Sequence, residues 1–405
     1  VTPEPRSHDV VLFGAGGFVG MQTVAYFARR APSGMRWAVA GSSAERLATA
    51  KACAGVGPEV PAIVLDGRDP AAADALAAST RIVLSSAGPF AVYSDAIVSA
   101  CVRRRTHYVD ITGETTWVRT LVDRHHEAAA ADGTRIVPCC GFDSVPSDLG
   151  AFLAVKRLQQ TTGARCRQAH TYYRMAGRLN GGTVATIAHL HESGQAPKAR
   201  DPFLLVDGPP PSAEAAVRDR DPTDVRFDAD ARAWVGPFLM GTVNTRVVRR
   251  SASLFGAWGE SYGPDFRYQE YAAYRGRLAR AKAIGVSSAL GALDAGMRTA
   301  GPRRLLRIFL PKPGAGPSVQ DMDRGWFRAD VIAWDEEGRS ARVGMFHRGD
   351  PSNRATVRFV CESALCLALE GTASELAPHG GVLTPATAFG HALAERLRAS
   401  GMRID

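Results

Sequence analysis

The 405-residue sequence predicts an α/β protein: a Rossmann-type doubly wound parallel sheet joined to a second, mostly antiparallel α+β domain. Three observations carry that expectation. An apolar strand, Val10 to Phe13, runs straight into Gly14-Ala15-Gly16-Gly17-Phe18-Val19-Gly20 and from there into helical spacing. Through residue 138 apolar strands alternate with helical stretches, the signature of βαβ units. Beyond Lys156 the segments alternate apolar and polar residues, as strands with one wet face do.

The glycine turn comes first. Gly14, Gly17 and Gly20 follow a G-x-x-G-x-x-G spacing, and Val19 breaks the stricter G-x-G-x-x-G. Gly14 permits the tight turn, Gly16 or Gly17 lets a pyrophosphate approach the backbone, and Gly20 allows close packing of helix on strand. The N–H groups of Phe18 and Val19 at the helix start then face the phosphates.

The helix Phe18 to Arg30 and the strand Met35 to Ala40 complete the first βαβ unit. At that strand's end a cofactor without a 2′-phosphate is usually met by an acidic residue. Here the chain reads Gly41-Ser42-Ser43-Ala44-Glu45-Arg46, so Ser42, Ser43 and Arg46 are expected to hold a 2′-phosphate, which favours NADPH; Glu45 is the residue that opposes this. Strands follow at Pro61 to Leu65, Arg81 to Ser85, His107 to Asp110 and Thr134 to Pro138. Asp66 stands where adenine would lie, or in a solvated turn, and Ala87-Gly88-Pro89 at the fourth strand's end suits a backbone passing close to a ligand.

The later strands are expected at Arg165 to Met175, Arg226 to Trp234, Phe266 to Tyr274, Gly325 to Trp334, Ser340 to His347 and Ala355 to Val360, with a surface loop over Ala199 to Thr223. The last helix, Pro385 to Ala399, is expected to return to the first domain. The domains then divide as 1–150, 151–380 and 381–405.

Composition narrows the function class. No run of about eighteen apolar residues appears, so no spanning helix is expected. The first eight residues lack a signal-peptide core, and the cytoplasm is expected. Seven cysteines without C-x-x-C pairing read as buried reduced thiols, and His189 and His191, two apart, cannot share a helical face, so no metal is expected. The net charge of +9 implies acidic partners. The basic residues are scattered rather than set among aromatics, so nucleic acid is a minor alternative and no nucleic-acid partner is expected. Groups at Arg103-Arg104-Arg105, Arg249-Arg250 and Arg303-Arg304 are candidates for docking an acyl carrier protein. Ala283 to Ala300, flanked by Arg280, Lys282 and Arg298, is either a peripheral lipid contact or an ordinary packed helix, and Asp294 favours the helix.

Several motifs resemble the saccharopine dehydrogenase-like oxidoreductases, and within them the trans-acting enoyl reductases. They are Leu12 to Gly20, Ala40 to Leu47, Gly88-Pro89-Phe90-Ala91-Val92-Tyr93, Asp110-Ile111-Thr112-Gly113-Glu114 and Gly141-Phe142-Asp143-Ser144-Val145-Pro146-Ser147-Asp148. In the second half Gly181-Gly182-Thr183, Asn244 to Ser251, Pro311 to Ser318 and Gly381 to Ala386 add to them. Ser42 stands where many members carry arginine, which leaves Ser43 and Arg46 for the 2′-phosphate. The resemblance implies nicotinamide-dependent reduction of a double bond in a polyketide-derived lipid chain. With the reading of Ser43 and Arg46, the expected reaction is NADPH-dependent enoyl reduction of a small-molecule or carrier-bound acyl chain, and the sheet topology places it in a cleft beside the second domain.

That chemistry needs a proton donor and enolate stabilisation. Tyr93, Asp143 and Ser144 are the candidates, with Glu114 at a further strand end. The alternatives to donation are packing for Tyr93 and helix capping for Asp143 and Ser144. Two other readings stand beside enoyl reduction. A carbon–nitrogen oxidoreductase acting on an amino-acid adduct would use Arg174, Arg178 or Arg246 against carboxylates. A non-catalytic, nucleotide-binding, lipid-associated protein would need no donor at all.

Overall fold

The computed structural model describes residues 6–177, 190–208, 212–299, 301, 316–370 and 378–405. The chain forms two compact units. One spans residues up to Phe142 together with Ser352–Ser400, and the other contains most of Asp143 to Pro351 together with Gly401–Asp405.

The first unit is built on β1 (His8–Phe13), α1 (Phe18–Arg30), β2 (Trp37–Gly41), α2 (Ala44–Ala54), β3 (Ala62–Val64), α3 (Pro70–Ser79) and β4 (Thr80–Ser85). Then come α4 (Phe90–Tyr93), α5 (Asp95–Arg104), β5 (His107–Asp110), α6 (Thr115–Asp132) and β6 (Arg135–Val137). With β13 (Gly381–Val382) the strands form one sheet in the order β13-β6-β5-β4-β1-β2-β3, and every pairing in it is parallel. Trp37–Gly41 is buried throughout, as a central parallel strand covered on both faces must be. The edge strand β3 keeps its two outer residues exposed. Strand order reverses between β1 and β4, the place where such sheets bind ligands.

The second unit carries α7 (Val145–Thr162), β7 (Cys166–Ala176), β8 (Arg226–Asp228), β9 (Ala233–Pro237), α8 (Gly241–Ala257), β10 (Arg267–Tyr274), α9 (Ala279–Arg298), β11 (Trp326–Asp335), β12 (Ser340–Arg348) and β14 (Arg403–Ile404). Its sheet has the order β14-β12-β11-β7-β10-β9-β8, antiparallel except where β10 pairs with β7.

Two expected strands differ. Arg226 to Trp234 is a hairpin rather than one strand, with Asp228 accepting from the Ala231 N–H at the bend. Ala355 to Val360 is helical: a π-turn, Pro351–Ala355, leads into α10 (Thr356–Glu370). The stretch alternates at its start, but burial continues on every side through Leu367, as in a helix enclosed by its own unit.

The division of the chain falls at Phe142 rather than at residue 150, because α7 packs on β11 and β12 of the second sheet. α10 and α11 (Pro385–Ala399) belong to the first unit. They are fastened there by Glu362, fully buried, which accepts from the Tyr26 hydroxyl at 2.8 Å, from Arg30 Nε at 3.0 Å and from Arg396 Nη2 at 3.0 Å. α11 begins with a capping box, Thr384 with Thr387. Ala283 to Ala300 is not packed as expected: over Ala279–Arg298 only Ala279, Ala283 and Met297 are buried. Cys53 is exposed, whereas the other six cysteines are buried.

Candidate active site

At the carboxyl end of β1, Gly14 has φ +81°, a left-handed conformation that favours glycine. A Cβ there would stand 2.8 Å from the Ala87 nitrogen, so the glycine turn and the loop after β4 touch backbone to backbone. Ser86 reinforces the contact, its N–H donating to the Phe13 carbonyl at 2.9 Å and its hydroxyl lying 3.3 Å from the Phe13 and Gly14 carbonyls. A Cβ on Gly20 would come within 2.1 Å of the Gly14 carbonyl oxygen, so the helix sits on the strand only because Gly20 has no side chain.

Gly17 is the N-cap of α1, exposed, and supplies no side-chain cap. The first N–H groups of any helix lack intrahelical partners, which leaves those of Phe18, Val19 and Gly20 as donors beside exposed Gly17. Phe18 is covered by Gly316, where a Cβ would reach 2.1 Å from the ring. Residues 311–315 of that motif lie outside the described residues, as do Gly181-Gly182-Thr183, Arg178, His189 and Arg303-Arg304.

Arg46 is brought against this turn, for a Cβ on Gly16 would stand 2.7 Å from the Arg46 Cβ. Ser43 caps α2 by accepting from the Arg46 N–H at 3.3 Å. Ser42, Glu45 and Arg46 are exposed, and the Arg46 guanidinium makes no ion pair among the described residues. An exposed arginine whose stem packs on a glycine turn leaves its guanidinium free to meet an anion.

Beyond β4 the chain passes Gly88-Pro89, a cis peptide, into α4. Buried Glu114 caps that short helix, its two carboxylate oxygens accepting from the N–H groups of Phe90 at 2.8 Å and Ala91 at 2.9 Å. Asp110 braces the next loops in the same way. It accepts from the Thr112 and Cys139 N–H groups and from the Tyr108 hydroxyl, and burial pushes its carboxyl up to about 7. Gly141 stands beside Ile111 and Thr356, and the Phe142 N–H donates to the Thr356 hydroxyl at 3.1 Å. Segments 86–93, 110–114 and 141–142 are thus gathered at the carboxyl ends of β4, β5 and β6.

Asp66 is held by a forked pair to Arg68, with a shortest contact of 2.7 Å, and the Arg68 hydrogen bonds pull its carboxyl down to about 2. Arg68 lies over the Tyr93 ring at 5.9 Å, and a Cβ on Gly67 would meet the Tyr93 carbonyl oxygen. Tyr93, 38% exposed, therefore stands with the loop after β3.

In the second unit Ser144 is the N-cap of α7, yet its hydroxyl caps nothing and donates instead to Asn244 Oδ1 at 3.3 Å. Asn244 Nδ2 donates to Glu270 at 2.8 Å, and the same buried carboxyl accepts from Ser147 at 2.7 Å and Tyr268 at 3.1 Å. Burial pushes Glu270 up to about 8. Asp143 is half-buried, makes no hydrogen bond or ion pair among the described residues, and is pushed up to about 6 by desolvation. Neither residue caps the helix, and sequence reasoning missed Glu270 because its partners are scattered along the chain.

The described basic groups expected to dock a carrier have partners of their own. Arg249 and Arg250 on α8 are buried, donating to the carbonyls of Pro202, Asp219, Tyr268 and Leu205 and to Asp207. Arg103 and Arg104 pair with Asp74, and Arg105 with Asp132. Arg246 is spent on Asp221 and the carbonyls of Arg200 and Asp201, and Arg174 on Asp330. No described arginine of the set Arg174, Arg178 and Arg246 is left for a substrate carboxylate.

No described helix is long and apolar enough to cross a membrane. Residues 10–137 match the family described as saccharopine dehydrogenase NADP binding domain. The chain is 34% identical to a putative trans-acting enoyl reductase of Mycobacterium tuberculosis, over 100% of this chain and 99% of that protein. It is also 34% identical to the trans-acting enoyl reductase of Mycobacterium leprae, with the same coverage. Its fold is that of the apo histidine-tagged saccharopine dehydrogenase (L-Glu forming) of Saccharomyces cerevisiae, with a TM-score of 0.53 at 13% identity over 98% of this chain and 99% of that one. The chain is therefore an NAD(P)-dependent oxidoreductase of the saccharopine dehydrogenase-like class and belongs to its trans-acting enoyl reductase family.

Proposed function

We propose that this protein uses NADPH to reduce the carbon–carbon double bond of an α,β-unsaturated acyl chain delivered by a carrier. The full-length identity to trans-acting enoyl reductases carries the reaction class. The unpaired Arg46 against Gly16 supports the cofactor choice. The backbone of Gly16 and exposed Gly17 and the amides of Phe18, Val19 and Gly20 would hold the pyrophosphate, while Ser42, Ser43 and Arg46 would hold the 2′-phosphate. Ala87, Gly88 and Pro89 would pass under the ring that bound NADPH presents for hydride donation to the β-carbon.

The α-carbon needs a proton. Asp143 follows directly on Gly141-Phe142, keeps part of its surface open and lies near 6, so it holds a proton at mildly acidic pH and can release one near neutrality. We assign it the donor role. The Ser144 proton is committed to Asn244, which makes Ser144 a positioning residue. Tyr93, over Arg68 and beside the loop after β3, belongs with Asp66 to the adenosine half of such a sheet, away from proton transfer.

Turnover of an enoyl thioester followed against pH tests the assignment. It should fall as pH rises through about 6, because the donor must be protonated. Asp143→Asn should lower turnover by roughly a hundredfold or more and remove that limb. Tyr93→Phe should change turnover by less than about threefold while weakening NADPH binding. A hundredfold loss of turnover in Tyr93→Phe with NADPH affinity intact would reverse the two roles.

A further inference from the structure

The positive charge of this chain is not spread evenly. Residues 271–320 contain nine arginines and lysines and one acid, Asp294, against a formal charge of +9 for all 405 residues. Within that stretch α9 stands mostly clear of its unit. Leu278, just before it, is 66% exposed, and Ile284 on it is 46% exposed.

Six exposed positions, Ala281, Ile284, Gly285, Ser288, Ala292 and Ala295, fall within about 100° of arc at 3.6 residues per turn, and none carries a charge. A helix face that meets only water is ordinarily charged and polar, so an uncharged face of this length is unusual. Its N-terminal turn is also electrostatically unfinished. The N-cap, Leu278, provides no side-chain cap, the first turn holds no acid, and Arg277, Arg280 and Lys282 cluster there, where a helix start favours negative charge. Arg280 is fixed over the Trp234 ring at 5.2 Å, whereas Arg277 and Lys282 make no ion pair among the described residues. Asp294 offers no relief, being paired with Arg200 and Arg298.

The occupant that completes this surface is acidic. Interfacial helices bury Trp, Phe and Leu in lipid, and this face has a single large apolar side chain, Ile284. Alanine, glycine and serine instead let the backbone of a second helix come near, since interaxial distance follows side-chain size. We propose that the solvent-facing side of α9, with Arg277 and Lys282 at its N-terminal turn, docks an acidic helical carrier domain bearing the acyl substrate. The proposal rests on the enoyl reductase reading and replaces Arg249-Arg250, which the fold buries, as the docking charge.

The full chain should be titrated with a purified acidic acyl carrier protein that bears its phosphopantetheine arm and no acyl group. Wild-type affinity should fall steeply from about 50 to about 300 mM salt, as screening shortens the reach of exposed charges. The double variant Arg277→Glu/Lys282→Glu, and separately Ile284→Glu, should each bind the carrier about tenfold more weakly or worse. Both should keep wild-type NADPH affinity and wild-type turnover of a small diffusible enoyl thioester. No wild-type reduction of that thioester would refute the enoyl reading and leave the binding result standing by itself. Docking at α9 is overturned by carrier affinity equal in variants and wild type, or by no wild-type carrier binding at low salt. Binding transferred to phosphatidylcholine–phosphatidylglycerol vesicles, and lost in the variants, overturns it equally.

Discussion

Arginine serves opposite ends in the two units. Beside the glycine turn, Arg46 is exposed and without an ion pair among the described residues, next to the first amides of α1, which have no partner within the helix. On α8, Arg246, Arg249 and Arg250 are buried and bonded to carbonyls of the segment 200–219 and to Asp207 and Asp221. A group left unsatisfied at a surface is available to a ligand, whereas one satisfied in the interior is a fastener. The first unit exposes backbone where four glycines have no side chain, and it leaves Arg46 at the surface. The second spends the same residue type on cohesion.

The contrast breaks hardest at Gly20. A side chain there collides with the Gly14 carbonyl oxygen 2.1 Å away, so Gly20→Val should weaken NADPH binding by more than about a hundredfold in equilibrium titration. Arg246→Met should do the reverse. It strands Asp221 and two carbonyls, and should cost about 3–5 kcal/mol in urea unfolding without changing NADPH affinity in the folded protein. Arg46→Ala should leave stability unchanged and lose about 1.5–3 kcal/mol of NADPH binding, the range for hydrogen bonds to charged groups, while NADH binding stays the same. Equal losses for both cofactors would remove Arg46 from the 2′-phosphate.

The effect that is smallest per pH unit concerns Glu270. Its carboxyl is raised from an ordinary value of 4.5 to about 8 by burial. The folded state therefore binds more protons than the unfolded one between those values, and stability falls as pH rises from about 4.5 to about 8. Glu270→Gln should flatten that slope, which cannot exceed about 1.4 kcal/mol per pH unit for one proton. Melts at several pH values, compared with wild type, read the difference.

How much of this was legible in the sequence follows from the same contrast. The turn at Gly14 to Gly20 and the parallel strands could be read because backbone geometry demands small residues and apolar runs at fixed local spacing. The place of Arg46 against Gly16 could be read because the residues that follow the second strand are fixed to the glycine turn by the motif. Glu362 could not, since Tyr26, Arg30 and Arg396 meet it across most of the chain. Arg249-Arg250 looked like surface because nothing local announces the carbonyls that receive them. Ala355 to Val360 looked like a strand because its first residues alternate, and only enclosure on all sides makes it a helix. Tyr93 follows β4 in the sequence, whereas the ring contact that holds it comes from Arg68, after β3, which no local spacing announces.

Hydride transfer to a carbon–carbon double bond is the central claim, and isotope placement tests it most directly. The protein should be incubated with NADPH deuterated at the transferring carbon and an α,β-unsaturated acyl thioester, and the product examined by mass spectrometry and NMR. The account predicts one deuterium at the β-carbon and a solvent-derived hydrogen at the α-carbon. Deuterium found only on a carbon next to nitrogen, with an imine as the accepted substrate, would contradict it.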